Sequence, residues 1–191
     1  MRIRITLVVV MLVAGCSQDD SQTGAAPQPG DFPAAAARAQ EALVPFKQSL
    51  MQALKQGMSE GGPVTAIDKC QLEAPVIAAT LSTADIHVGR SSHKLRNPGN
   101  APTDWQQAAI DHYLANPEDR APQTYSLAKG LRGYVEPIIA QPLCLACHGT
   151  NLSPDVSKVL AEKYPHDQAT GFKEGELRGI FWVTLPAEPA N

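Results

Sequence analysis

Hydrophobic and polar residues fall into three regimes along this chain. Met1-Arg2-Ile3-Arg4 is followed by an unbroken apolar run from Ile5 to Ala14. Ser17 to Asp31 is polar, rich in Gly and Pro, and has nothing to bury, so it reads as a flexible tether. From Phe32 onward apolar residues recur first with helical and then with strand periodicity. Ala34 to Met58 predicts a long helix with Leu43, Phe46, Leu50 and Leu54 on its apolar face, and with Met51 and Met58 as core fillers. Pro45 should kink it, and Gly57 or Gly61-Gly62 should end it. A second helix begins at Pro63, a residue suited to the first helical position. Ile67, Cys70, Ala74 and Ile77 share one face of that helix, and Pro75 should make it irregular beyond Gln71. Asp85 to Ser92 predicts a short strand, 96–102 a loop, and Thr103 or Asp104 caps a helix to about Leu114. Thr124–Leu127 and Leu131–Ile139 read as a strand pair turning at Lys129-Gly130. Ser153-Pro154 opens a helix to about Tyr164. Gly171 to Leu185 reads as a hairpin whose second strand places Leu177, Gly179, Phe181, Val183 and Leu185 on one face. Helices first and strands later imply an α+β fold with an antiparallel sheet.

The first regime sets the expected compartment. The Ile5–Ala14 run has the length of a signal-peptide core and is too short to span a bilayer. It ends in Leu12-Val13-Ala14-Gly15-Cys16, which resembles the bacterial lipoprotein box and implies cleavage before Cys16 and lipidation of that cysteine. Ordinary cleavage nearby, with Cys16 a spare thiol, is the alternative. Ser17 rather than Asp follows Cys16, a pattern resembling outer-membrane sorting. The formal net charge is −3, and loss of residues 1–15, with Arg2 and Arg4 and no acid, takes it to −5. A mildly acidic chain without Lys/Arg clusters is not built to bind nucleic acid. The organisation expected is a leader over 1–15, a tether over 16–31, one domain over 32–186 and a tail over 187–191. The domain should sit in the periplasm, held to the membrane by lipid.

The strongest chemical signal is Cys144-Leu145-Ala146-Cys147-His148, in a loop opened by Pro142. Cysteines at this spacing can each form a thioether with a haem vinyl group, and the adjacent histidine is placed to ligate the iron. The same pattern occurs in zinc sites, but a structural zinc needs four ligands, and no second Cys/Cys or Cys/His pair exists. One covalently attached haem c is therefore expected. The chain has 4 Phe, 2 Trp and 4 Tyr, thin for a core of this size, and a haem would add apolar volume. With Cys16 lipidated and Cys144 and Cys147 consumed, Cys70 is left as a lone thiol that needs burial or a metal bond. It either fills the core or ligates the iron as thiolate. His93 and His87, near the predicted strand, are rival ligands. Arg90, Lys94 and Arg96 form a small basic group that either pairs with haem propionates or is a solvated loop.

Several segments together carry a family resemblance. They are Gly62-Pro63-Val64-Thr65-Ala66-Ile67-Asp68-Lys69-Cys70, Val88-Gly89-Arg90-Ser91-Ser92, residues Leu95 to Pro102, Cys144 to Gly149, and Gly175-Glu176-Leu177-Arg178-Gly179. The set resembles the single-haem, PAS-like periplasmic c-type cytochrome domain, long catalogued as a domain of unknown function, over roughly residues 35–185. The resemblance implies a PAS-like antiparallel sheet flanked by helices, with haem on the C-terminal side. It also implies the axial pair His148 and Cys70. His93 stands where family members often look apolar.

Two functions remain open from sequence. A thiolate ligand favours Fe(III), and its release would open a ligand position, the behaviour of a redox or small-ligand sensor. No kinase, HAMP-like helix or membrane span follows, so sensor output is expected to pass through a signalling partner. The alternative is a membrane-tethered electron carrier working with a redox partner. An enzyme is not expected, since a distal acid–base arrangement is missing from the sequence pattern. PAS-like domains often dimerise, so a homodimer is admitted.

Overall fold

The structure, a computed structural model, describes residues 27–187; the leader, Cys16, the tether through residue 26 and residues 188–191 lie outside the described residues. Small residues rather than leucines bring its first helices together. α1 (Pro33–Leu81) is helical throughout except at Gly61 (φ −167°, ψ 21°) and Gly62 (φ 73°, ψ −159°). The conformation of Gly62 is one that essentially only glycine adopts. The chain folds back there. A Cβ on Gly57 would lie 2.6 Å from Ala66 Cα, and Lys69 Nζ reaches Glu60 Oε2 at 3.5 Å. Farther from the turn, Ile77, Ala78 and Leu81 pack against the cluster of Ala35, Ala39, Leu43 and Phe46. The two halves thus form a helical hairpin, broken where the glycine pair predicts.

Neither Pro45 nor Pro75 interrupts the helix, contrary to expectation. Both rings are exposed, so the carbonyl each leaves without an N–H is on the water side. Met51 is also exposed (45%) rather than a core filler. The contact face follows Ala35, Ala39, Leu43, Phe46, Ala53 and Gly57, whose spacing is helical.

Five strands form one antiparallel sheet in the order β1-β3-β4-β5-β2. They are β1 (Gln28–Gly30), β2 (His87–Ser91), β3 (Gln123–Leu127), β4 (Leu131–Ile139) and β5 (Leu177–Pro186). α1 covers one face, against Val88, Tyr134, Phe181, Val183 and Leu185. α2 (Asp104–Ala115) covers the other, where Trp105, Ala109, Ile110 and Tyr113 meet Tyr125, Val135, Leu177 and Ile180. Strand alternation delivers the two sets to opposite faces. Thr103 precedes α2, its N–H donating to Gln106 Oε1 at 2.9 Å. Among the described residues no helix is long and apolar enough to cross a membrane.

Three sequence expectations change here. Gln28–Gly30, within the segment read as tether, pairs with β3 as an edge strand. The hairpin expected over 171–185 is a single strand, because positive φ at Gly171 (77°) and Gly175 (84°) turns the chain away before Leu177. Leu177 does not share a face with Val183, because a bulge opposite Ile138/Ile139 shifts the register and sends it to the α2 side.

Candidate haem site

Segment 164–176, freed from strand pairing, wraps the C-L-A-C-H motif. α3 (Leu145–His148) is a single turn, followed by α4 (Pro154–Lys163), whose start is capped by Ser153 Oγ accepting from Val156 N at 3.3 Å. Gly171 N–H donates to Gly149 O at 3.0 Å and Phe172 N–H to His148 O at 2.9 Å. Backbone bonds therefore hold the motif before any side chain is considered.

His148 is fixed through its ring. Nδ1 lies 2.6 Å from the carbonyl oxygen of Ala169. A carbonyl can only accept, so Nδ1 carries the proton and Nε2 the lone pair, the tautomer an iron ligand requires. Burial first, then the charges of Arg178 and Arg96, push the imidazolium down to about 2, so the ring is neutral.

Arg96 sutures the same loop. Its Nε donates to Asp167 Oδ2 at 3.1 Å, and its Nη2 donates to Cys147 O at 2.5 Å and to Ala169 O at 3.4 Å. Both side chains of the Arg96–Asp167 pair are enclosed, at 13% and 8% exposure. Asp167 Oδ1 also accepts from Ala169 N at 2.8 Å. Arg96, Asp167, Ala169 and His148 form one bonded circuit.

Cys70 meets the motif from the opposite side. The returning half of α1 packs by Ile67 against Val156 and Leu160 of α4, with Cys147 in the same cluster. Cys147 Sγ lies 4.0 Å from Pro63 O. Cys70 is near enough to act on the Cys147 thiol. Burial raises the Cys70 thiol, while Arg90 and Arg96 pull it down. Burial likewise raises Cys147. Both are half-buried free thiols, as is Cys144.

The two rival histidines are placed differently from each other. His87 is exposed at the far end of β2, opposite Thr184. His93 packs edge-on to Phe172, with ring centroids 5.8 Å apart, and His148 packs edge-on to the same ring at 6.4 Å. The Nδ1 of His93 is buried without a partner, and the ring lines a cavity of about 270 Å³ with Tyr113, Phe172 and Leu177. Burial, then Lys94 and Arg178, lower its basicity. Neither Cys70 nor any motif residue lines that cavity.

Arg178, Tyr164 and Phe172 are the site residues that sequence reasoning did not single out. Arg178 Nη1 donates to Ser92 Oγ at 3.1 Å and Lys94 O at 3.4 Å, and its guanidinium lies 5.2 Å from the Phe172 ring centroid. The available signal was a charged residue inside an otherwise apolar final strand.

The donor set fits a haem. Two thiols and a neutral imidazole with a free Nε2 come from one turn, a third thiol comes from a facing helix, and guanidiniums flank them. Among the described residues no group of three or more His, Cys, Asp or Glu is assembled to hold a metal ion, as a tetrahedral zinc site would require. A family model described as Tll0287-like matches residues 34–186. The chain belongs to the Tll0287-like family. A solved structure described as that of the cyanobacterial haem protein Tll0287 is similar, with a TM-score of 0.60 and 26% identity. That similarity covers 84% of this chain and 100% of the other. A search of curated proteins finds no match. The Tll0287-like match spans both α1 halves and strands β2 to β5, so it covers every site residue named above.

Proposed function

We propose that this Tll0287-like chain is a periplasmic, lipid-anchored cytochrome carrying one haem c, attached through Cys144 and Cys147, with His148 and Cys70 as axial ligands. The carrying observation is the hydrogen bond from His148 Nδ1 to Ala169 O, which leaves the lone pair on Nε2, in a motif whose Cys147 lies near Cys70. The relative described as a haem protein supports the same cofactor. Bound iron would supply one-electron redox chemistry and an exchangeable ligand position. The chain's own residues make this a sensor rather than an enzyme. Cys70 sits on the returning half of α1, which contacts α4 through Ile67 and the sheet-facing core through Ile77 and Leu81. Holding or releasing Cys70 therefore moves a helix that spans both layers, a local event with a readable shape change. That output passes to a signalling or redox partner, and a homodimer is one form it can take.

An electron carrier is the second reading. Leu143, beside Cys144, is 41% exposed and offers an apolar contact next to the attachment site. Absorption spectra of the mature, haem-loaded chain separate the two. The sensor reading expects a six-coordinate low-spin ferric spectrum with thiolate-type bands, lost in Cys70→Ala. A histidine- or methionine-type spectrum that Cys70→Ala leaves unchanged would overturn the Cys70 assignment. Reversible electron exchange with both ligands retained would establish the carrier.

A further inference from the structure

The positive charge around the motif exceeds what the protein balances. Arg90, Arg96 and Arg178 each act on the His148 ring; Arg96 also acts on Arg90, and both act on Arg178. Among the described residues Asp167 is the one carboxylate bonded into this group, through Arg96. Glu73, which also acts on Cys70, is matched by Lys69 at 3.5 Å. Three guanidiniums against one carboxylate leave two positive charges without a counter-charge. Lys94, the remaining cation nearby, lies 4.8 Å from the Phe172 ring centroid and donates to Thr170 O at 3.4 Å.

The three arginines are not equivalent. Arg96 has its Nε and Nη2 engaged by Asp167, Cys147 and Ala169. Arg178 keeps a buried Nε with no acceptor. Arg90 projects from β2 on the side of Val88, opposite Phe181, on the face α1 covers, and its guanidinium forms no hydrogen bond among the described residues. Burial is the leading reason both guanidiniums hold their protons less tightly than usual, Arg178 at about 10. A buried donor without a partner costs about 1–3 kcal/mol, and more when charged, so the Nε of Arg178 calls for an anion, and the part-exposed guanidinium of Arg90 is free to meet one. The anion must bring two negative charges into a space shared with Cys70, Cys144 and His148. A haem carries two propionates.

We propose that Arg90 and Arg178 form the propionate clamp, one guanidinium for each carboxylate, and that Arg96 is a strut holding the motif loop rather than a propionate ligand. This rests on the haem reading above. It reassigns one of the two arginines that the sequence placed at the cofactor and adds Arg178, on which the sequence reading is silent. Guanidinium and carboxylate match as a bidentate pair, which a lysine cannot reproduce.

The test uses the full mature chain with haem attached in vivo, in wild type and in Arg90→Gln, Arg178→Gln, Arg178→Lys and Arg96→Gln. Haem content by pyridine haemochrome, propionate-bending bands by resonance Raman, midpoint potential and thermal melting are recorded for each. Thioethers retain the haem, so its content should hold in the clamp variants. Arg90→Gln and Arg178→Gln should each shift the propionate bands and lower the midpoint potential, because losing a nearby cation favours the ferric charge. Arg178→Lys should shift the bands yet keep the potential near wild type, since charge remains and the fork is lost. Arg96→Gln should melt earlier with the bands in place. Normal haem content with unmoved bands in both Arg90→Gln and Arg178→Gln overturns the clamp alone. A wild-type chain that takes up no haem overturns the haem reading and the clamp together.

Discussion

Ala169 acts through its backbone: the carbonyl oxygen sets the tautomer of His148 and accepts from Arg96, and the N–H donates to Asp167 Oδ1. What keeps that oxygen in position is the Arg96–Asp167 pair, so the geometry of the imidazole depends on an ion pair one step removed. Removing one partner of an enclosed pair leaves the other uncompensated, at about 3–5 kcal/mol. Arg96→Gln should therefore lower unfolding stability by about 3 kcal/mol in urea titration; a loss below about 1 kcal/mol would show that Asp167 is satisfied by water instead. At this scale the sequence is legible where chemistry is covalent or motif-bound. Cys144, Cys147 and His148 declare themselves by spacing, whereas Asp167 and Ala169 have nothing local to mark them. Their role comes from Gly171 and Gly175 bending a predicted strand around the motif, which only the tertiary fold brings about. Arg178 fell inside a segment recognised as a whole, and its side chain's direction depends on the bulge before Gly179.

α1 shows what one glycine pair does for an element. Its first half lies on the sheet and its second half delivers Cys70, and only the reversal at Gly61-Gly62 allows both. Gly62→Ala forces a side chain into φ 73°, ψ −159° and should cost about 1–3 kcal/mol. Gly57→Ala should act differently, because its Cβ would meet Ala66 backbone at 2.6 Å and wedge the halves apart. A melt plus the Cys70-dependent spectrum distinguishes them. Gly62→Ala lowers stability with the spectrum kept, and Gly57→Ala disturbs both; equal effects would mean the halves do not act as a hinge. The break was readable because Gly-Gly followed by Pro63 punctuates strongly. The continuity through Pro45 and Pro75 was not, since whether a proline kinks a helix depends on which side its ring faces. The reliance on Ala and Gly contacts was missed for a related reason. Leucine periodicity marks an apolar face, but close helix approach is made by the smallest residues.

The whole molecule is a sheet between two unequal helical layers. The α+β class, the order of elements and the antiparallel pairing were all present in the periodicity, while β1 was hidden because three polar, Gly/Pro-rich residues carry no strand signal. Its worth can be measured. Deleting residues 27–31 removes β1 and bares the β3 edge. The domain should still fold and hold its spectrum, lose on the order of 1 kcal/mol, and self-associate more readily by size-exclusion chromatography. Failure to fold would mean the edge strand is part of the core instead.

The position of β5 carries a consequence in time rather than in space. It is the last described strand in the chain, yet it sits between β4 and β2, and β2 pairs with β5 alone among the described strands. A chain threaded across a membrane N-terminus first presents residues 144–148 before residues 177–186 arrive. Until then β2, with Arg90 and the segment leading to His93 and Arg96, has no sheet to join. On the proposed export route the motif would thus emerge on an open chain, accessible to thioether formation, and the barrier to premature closure would be the order of arrival itself. Moving the β5 segment ahead of the motif by circular permutation would let the sheet shut early, and haem incorporation per folded chain should fall.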